Sequence, residues 1–329
     1  MESKPYDLLI LGGGCAGLTA AIYAGRAGLI TAVVEKQMPG GQAALTGEVA
    51  NYPGFKSISG AELSALMAEQ AKAFGAELVS AEATGLELGG QSKRLLLADG
   101  GGLTGRAGIL ACGANPKKLG FPGENEFFGR GVSYCATCDG FFFKDKEVLV
   151  IGGGYSAAEE ALYLTRFAKK ISIAVRGERF RCARTLAGRV LNHPKIETLF
   201  HTEIVEAHGG SIHVTDNLPH GSVFRFTLPR ARLKNNQSGK EFDFPVSGQG
   251  GGIGIFVFVG YQPSTALLRG HVELDAEGYV PTNERMETGV PGVFAAGDLR
   301  SKHLRQLVTA ASDGAVAATQ AEKYLSGYQ

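Results

Sequence analysis

A strand, a glycine-rich turn, a helix and a second strand follow one another twice in this chain, and that repetition restricts the fold more than any other feature. The first unit runs from the largely apolar residues 6–11 into Gly12-x-Gly14-x-x-Gly17, a helix-compatible stretch over 18–28 and an apolar run from Ile30 to Val34. The second runs from Glu147 to Ile151, through Gly152-x-Gly154-x-x-Ala157 and a helical stretch over 158–167, to Ile171–Val175. In such a unit the first glycine allows a tight turn and the second lets backbone approach a pyrophosphate. The third small residue lets helix pack on strand. The helix start then offers N–H groups and a positive dipole end to the phosphates. The expected fold class is α/β, with two Rossmann-like dinucleotide-binding domains.

The 329 residues suit two domains, each able to bury its own core. An alanine-rich helix is expected over 60–74, and Pro/Gly-rich sequence from Asn115 to Glu124 has linker character. A second glycine-rich passage, 248–254, precedes the apolar run Ile255–Val259. These features predict a discontinuous first domain, 1–117 with 248–329, and a second domain, 118–247, inserted into it.

Lys and Arg number 33 against 32 Asp and Glu, a net charge of +1, which gives no ground for a nucleic-acid or anionic-membrane partner. No apolar run reaches the ~18 residues of a membrane span. The expected strand at Tyr6 leaves no room for a secretory leader. Five cysteines are an odd, sparse set that argues against a secreted disulfide scaffold and for a reducing cytoplasm.

Cys135-Ala-Thr-Cys138 lies shortly before the second glycine turn. Two thiols so spaced can close a small disulfide, and in such motifs one sulfur has a lowered pKa, so the pair can pass two electrons. A zinc half-site is the poorer reading, because zinc takes four ligands and no second pair of this kind is present. Asp139 suits either a proton donor to a leaving thiolate or a helix cap. Cys15, Cys112 and Cys182 lack a vicinal partner and are read as small buried or semi-buried side chains.

Glu35 ends the second strand where an acid would hold ribose hydroxyls. In the second unit that position is Val175, followed by Arg176, with Arg179 and Arg181 close by. Those guanidiniums suit a ribose 2′-phosphate, or else form a solvated loop.

Four blocks in order carry a family resemblance: Gly12–Gly17, Gly40–Gly54, Cys135–Gly140 and Gly292–Ala317. With them the chain resembles, nearly end to end, the low-molecular-weight thioredoxin reductases. The resemblance implies that FAD is the cofactor, its ADP half held by Gly12, Gly14, Gly17 and Glu35. Gly41, Gln42 and Asn51 would lie near the ribityl and flavin portion, with Asp298, Arg305 and Gln306 closing over it. Cys138 would face the flavin, Cys135 would exchange with thioredoxin or a thioredoxin-like protein, and Asp139 would be the acid. Similar enzymes are homodimers whose cysteine-bearing domain swings. Gly152, Gly154, Ala157, Arg176 and Arg181 would form the NADPH site.

One departure bears on the donor. NADPH-using members show His-Arg-Arg-x-x-x-Arg where this chain reads Val175-Arg-Gly-Glu-Arg-Phe-Arg181. A lost guanidinium contact is worth about 1.5–3 kcal/mol, roughly 10- to 100-fold in affinity. Tyr155 adds bulk beside the pyrophosphate. The expected donor is therefore NADPH at reduced affinity, with NADH or reduced ferredoxin as alternatives. Two rival functions are weighed: a related flavoprotein reducing another acceptor, against which the cysteine pair counts, and a redox sensor that has lost its donor site.

Overall fold

A computed structural model describes residues 6–46, 49–208, 212–215, 223–226, 230–244 and 253–327. The chain opens with β1 (Tyr6–Leu11), α1 (Cys15–Arg26), β2 (Thr31–Glu35), α2 (Gly60–Ala73), β3 (Glu77–Ser80), β4 (Ala83–Glu87), β5 (Lys93–Leu97), β6 (Gly102–Leu110) and β7 (Ala114–Pro116). Next come β8 (Val132–Ser133), α3 (Ala136–Asp139), β9 (Glu147–Ile151), α4 (Tyr155–Leu164), β10 (Lys170–Val175), α5 (Arg184–Leu191) and β11 (Ile196–Phe200). Then follow β12 (Thr202–His208), β13 (Ile212–Thr215), β14 (Val223–Phe226), β15 (Arg230–Asn235), β16 (Glu241–Phe244) and β17 (Gly254–Val257). The chain closes with β18 (Tyr261–Pro263), β19 (Val293–Ala295) and α6 (Leu307–Ser326).

Two compact units result. One comprises residues 1–115 with 261–329, the other 116–260. In the first, the strands run in the order β3-β2-β1-β6-β5-β4, with β19 on β6. β1 pairs in parallel with both β2 and β6. A strand flanked on both edges and covered on both faces must be apolar over its middle, as Leu8, Leu9 and Ile10 are, each at most 2% exposed. α1 packs so close to β1 that a Cβ on Gly17 would sit 1.9 Å from the Gly12 carbonyl oxygen. On its other side α1 meets α6, where a Cβ on Gly314 would lie 2.1 Å from the Ala16 carbonyl. These close approaches fix the start of α1 over the carboxyl ends of β1 and β6, the position a doubly wound sheet reserves for ligands.

In the second unit five parallel strands run in the order β11-β10-β9-β17-β8. β12, β15 and β16 form an antiparallel sheet, and β13 pairs with β14. The expected boundary at 247/248 lies outside the described residues. The apolar run that follows it forms β17, which pairs with β9 in the middle of the second sheet. Chain 254–260 thus goes with the second unit, since Ile255 and Phe256, fully buried there, complete its core.

α4 carries one oddity. Glu160 Oε2 is buried and has no hydrogen-bond partner among the described residues. Burial, then the neighbouring Glu159, pushes the Glu160 pKa up to about 7. A carboxyl with a raised folded-state pKa binds more protons folded than unfolded, so its contribution to stability is present at low pH and fades as pH rises from about 4.5 through 7. Glu160→Gln is expected to raise the melting temperature at pH 8, by up to about 3 kcal/mol of stability, and to change it little at pH 4. Equal effects at the two pH values would show that Glu160 does not titrate this way.

Candidate active site

In the first unit the Gly12 backbone has φ +109°, and a Cβ there would strike the Ala111 carbonyl at 2.4 Å. Gly14 caps α1 without any side-chain bond to the first turn, and a Cβ on it would meet nothing nearer than the Gly40 oxygen at 4.0 Å. The first-turn N–H groups therefore face an open cradle. Glu35 at the end of β2 accepts from Gly13 N–H at 2.8 Å through one oxygen and from Gln37 N–H at 3.0 Å through the other. Each oxygen keeps a further lone pair.

The other residues expected around FAD gather in the same unit. Gly40 N–H donates to the Gly13 carbonyl at 2.7 Å, which lays Gly41 and Gln42 along the first glycine turn. Gln42 Nε2 donates to Asn115 Oδ1 at 2.6 Å, and Asn51 Nδ2 donates to Gln306 Oε1 at 3.2 Å. Gln306 is also the N-cap of α6, in a reciprocal box with Thr309. Arg305 lies 4.2 Å over the Tyr279 ring and donates to the Asp298 and Arg300 carbonyls at 3.4 Å each, so it braces the turn that presents Asp298.

Asp298 is mostly buried, and burial raises its pKa while Lys302 opposes the shift. Lys302 Nζ stands 3.2 Å from Asp298 Oδ1 and 3.1 Å from Asp313 Oδ2, and Arg300 pairs with Asp313 at 2.8 Å. Lys302, Arg300 and Asp313 are absent from the expected site, although Lys302 follows Asp298 at the i,i+4 spacing of ion pairs. An open glycine cradle, uncapped helix donors, an acid beside the turn and a half-buried Asp298 form a donor and acceptor set that fits a flavin dinucleotide.

In the second unit Cys135 and Cys138 are joined as a disulfide. Cys135 is the N-cap of α3, its sulfur accepting Cys138 N–H at 3.2 Å and lying 3.4 Å from Thr137 Oγ1. Asp139 closes that short helix and accepts from Ser133 Oγ at 2.6 Å. Burial raises the Asp139 pKa, and the Ser133 bond works against that rise. Ser133, which sequence reading passes over, also accepts Cys135 N–H at 3.1 Å. The other three cysteines are free thiols, and burial pushes Cys15 and Cys112 up to about 12. Neither is a thiolate near neutral pH. Among the described residues no His, Cys, Asp and Glu group could hold a metal ion.

The second glycine turn repeats the first. A Cβ on Gly152 would meet the Phe258 carbonyl at 2.4 Å, and Gly154 caps α4 with open space beside it. Ala157 is fully buried, as the third position requires. Tyr155, the first residue of α4, is 56% exposed. The loop after Val175 folds back on this turn, because Arg181 N–H donates to Gly153 O at 2.7 Å and Phe180 is buried edge-on against Phe200, ring centroids 5.7 Å apart. His201 N–H donates to the Gly177 carbonyl at 3.1 Å. Arg176, Arg179 and Arg181 are left exposed around the second glycine turn.

These two nucleotide-type turns and a vicinal disulfide are the parts of a pyridine nucleotide-disulphide oxidoreductase, and the model of that family matches residues 6–314. A thioredoxin reductase of Peptoclostridium litorale is 45% identical over 97% of this chain and 97% of its own length. That of Bacillus subtilis is 43% identical over 100% and 97%. The thioredoxin reductase structure from Streptococcus pyogenes superposes with a TM-score of 0.87 at 37% identity, covering 98% of this chain and 99% of that one. The chain belongs to the low-molecular-weight thioredoxin reductases, the FAD-dependent branch in which a flavin serves a redox disulfide. Among the described residues no helix is long and apolar enough to cross a membrane.

Proposed function

We propose that this enzyme takes electrons from NADPH and delivers them, through Cys135 and Cys138, to the disulfide of a thioredoxin. The carrying observation is the Cys135–Cys138 disulfide with the half-buried Asp139 carboxyl beside it, in the unit that also holds the arginine loop. Bound FAD supplies the two-electron store between nicotinamide and disulfide. Gly12, Gly14, Gly17 and Glu35 hold its ADP half. Gly41, Gln42, Asn51, Asp298, Arg305 and Gln306 orient the rest.

Once the pair is a dithiol, the Cys135 thiolate attacks one sulfur of the target disulfide, forming a mixed disulfide and breaking the target S–S bond. The expelled thiolate takes the Asp139 carboxyl proton. Asp139 then accepts the Cys138 proton, and the Cys138 thiolate attacks Cys135, restoring the disulfide and expelling the second target thiolate, which takes that same proton back from Asp139. Two electrons and two protons have moved to the target. The Cys138 N–H that reaches Cys135 sulfur favours negative charge on Cys135, the exchanging role. Phe141 and Phe142, 63% and 43% exposed just after the disulfide, offer apolar surface suited to a protein acceptor.

NADPH as donor rests on Arg176 and Arg181 beside Gly152, Gly154 and Ala157. The bare Gly177 is the reason for expecting weak binding. A Cβ at Gly177 would have only the Arg179 carbonyl near it, at 3.8 Å, so a side chain is tolerated. Gly177→Arg is expected to tighten NADPH about tenfold and leave NADH unchanged, read by titration and by rapid mixing of the oxidised enzyme with each donor. Tightening of both nucleotides alike would contradict a 2′-phosphate contact. A reducing cytoplasm and a homodimer, the latter checked by sedimentation, complete the proposal; an odd, sparse cysteine set supports the first and family resemblance the second. The direct test is thioredoxin-dependent NADPH oxidation by the purified flavoprotein.

A further inference from the structure

We propose that Ser133 is a positioning residue for Asp139, a two-way hydrogen-bond switch that keeps the carboxyl partnered whether or not it carries its proton. The inference rests on the acid role given to Asp139 above. Ser133 is 2% exposed, on β8 just before the redox motif. Its Oγ has three polar neighbours: Asp139 Oδ2 at 2.6 Å, the Cys135 N–H at 3.1 Å and the Cys135 carbonyl at 3.3 Å. A hydroxyl owns one proton and two lone pairs.

With Asp139 ionised, Ser133 O–H donates to the carboxylate and accepts Cys135 N–H. When Asp139 is protonated, its O–H donates to Ser133 Oγ, and the serine proton turns to the Cys135 carbonyl. In both states the Ser133–Asp139 bond is kept, and Ser133 Oγ and the Cys135 N–H keep a partner as the proton comes and goes. The arrangement also ties the acid to the backbone of the sulfur whose reaction it serves. Spacing alone gives no hint of it, because serine, cysteine and aspartate meet only through the turn that starts α3.

Charged neighbours do not replace this bond. The Asp139 shift has two causes, burial raising it and Ser133 lowering it. α4, packed on α3, carries Glu159 and Glu160, and neither contributes. β8, β17 and the turn Gly140–Phe143 carry no charged side chain.

The test uses the flavin-loaded enzyme with its dithiol formed chemically beforehand, so that the donor step is bypassed, and follows single-turnover exchange with thioredoxin from pH 5 to pH 10. Ser133→Ala should slow exchange about tenfold at neutral pH, the scale of one charge-assisted hydrogen bond. It should also move the alkaline limb of the rate profile to higher pH, because the bond that lowers the Asp139 pKa is gone. Asp139→Asn is measured in parallel and should lose the limb altogether. A slow Asp139→Asn beside a Ser133→Ala profile that matches the parent would overturn the switch and leave the acid standing. An Asp139→Asn as fast as the parent would remove both.

Discussion

Cys138→Ser is expected to abolish thioredoxin reduction, with turnover falling at least about a thousandfold, while the protein stays yellow and keeps its melting temperature. The magnitude follows from the chemistry. Without the second sulfur no thiolate can attack the Cys135 mixed disulfide, and only slow external thiols can release the product. Cys15, Cys112 and Cys182 cannot substitute. Burial raises the pKa of all three thiols, Cys15 and Cys112 up to about 12, so each is a poor nucleophile at neutral pH. Flavin retention is expected because residues 12–51 and 298–306 belong to the other unit, which the substitution leaves alone. Substantial turnover in this variant, measured with NADPH and thioredoxin, would take the disulfide out of the route.

Asp139→Asn is the second large effect, a fall of about a hundredfold in exchange, the usual scale for losing a positioned general acid. Asparagine keeps the size and can still meet Ser133, so folding should be little disturbed. The helix-cap reading fails, because the Asp139 side chain makes no bond to the turn that follows and binds Ser133 Oγ instead; the pH dependence separates an acid from a merely structural carboxylate. Burial holds the Asp139 pKa above the ordinary carboxylate range, so its acid form persists to higher pH than a surface aspartate's. The parent rate should decline as pH rises through that elevated pKa, and the asparagine variant should show no such decline. A variant that is slower at every pH by one constant factor, with the decline retained, would reduce Asp139 to a structural partner of Ser133.

Much of this architecture is legible in the amino-acid sequence because the two nucleotide units depend on short-range patterns. β1 and β9 carry the apolar runs Leu8–Leu11 and Val148–Ile151, suited to a sheet covered on both faces, and each glycine turn follows at once. The helices begin earlier than their apolar periodicity suggests, α1 at Cys15 and α4 at Tyr155, because the first turn is built inside the glycine motif, where no amphipathic pattern exists. The course of the second crossing is not legible locally. β17 reads as an ordinary apolar strand, and its pairing with β9 and β8 assigns it to the inserted unit.

In the sites the same division holds. Glu35, Cys135 and Cys138 lie at fixed offsets within motifs, and their positions can be read directly. Ser133, Asn115 and Lys302 cannot, since each acts through a contact made by a turn or by packing of separate segments: Ser133 with Asp139, Asn115 with Gln42, Lys302 with Asp313. Position 177 is the opposite case, where a residue type alone predicts a functional deficit.

Capture of the exchange intermediate tests the relay most directly. Cys138→Ser enzyme, its remaining Cys135 free, is mixed with oxidised thioredoxin, quenched with acid and digested for peptide mass spectrometry. A disulfide joining the Cys135 peptide to the active-site peptide of thioredoxin is the predicted product. Recovery of thioredoxin on Cys15, Cys112 or Cys182, or of no cross-link while thioredoxin is still reduced, would contradict it.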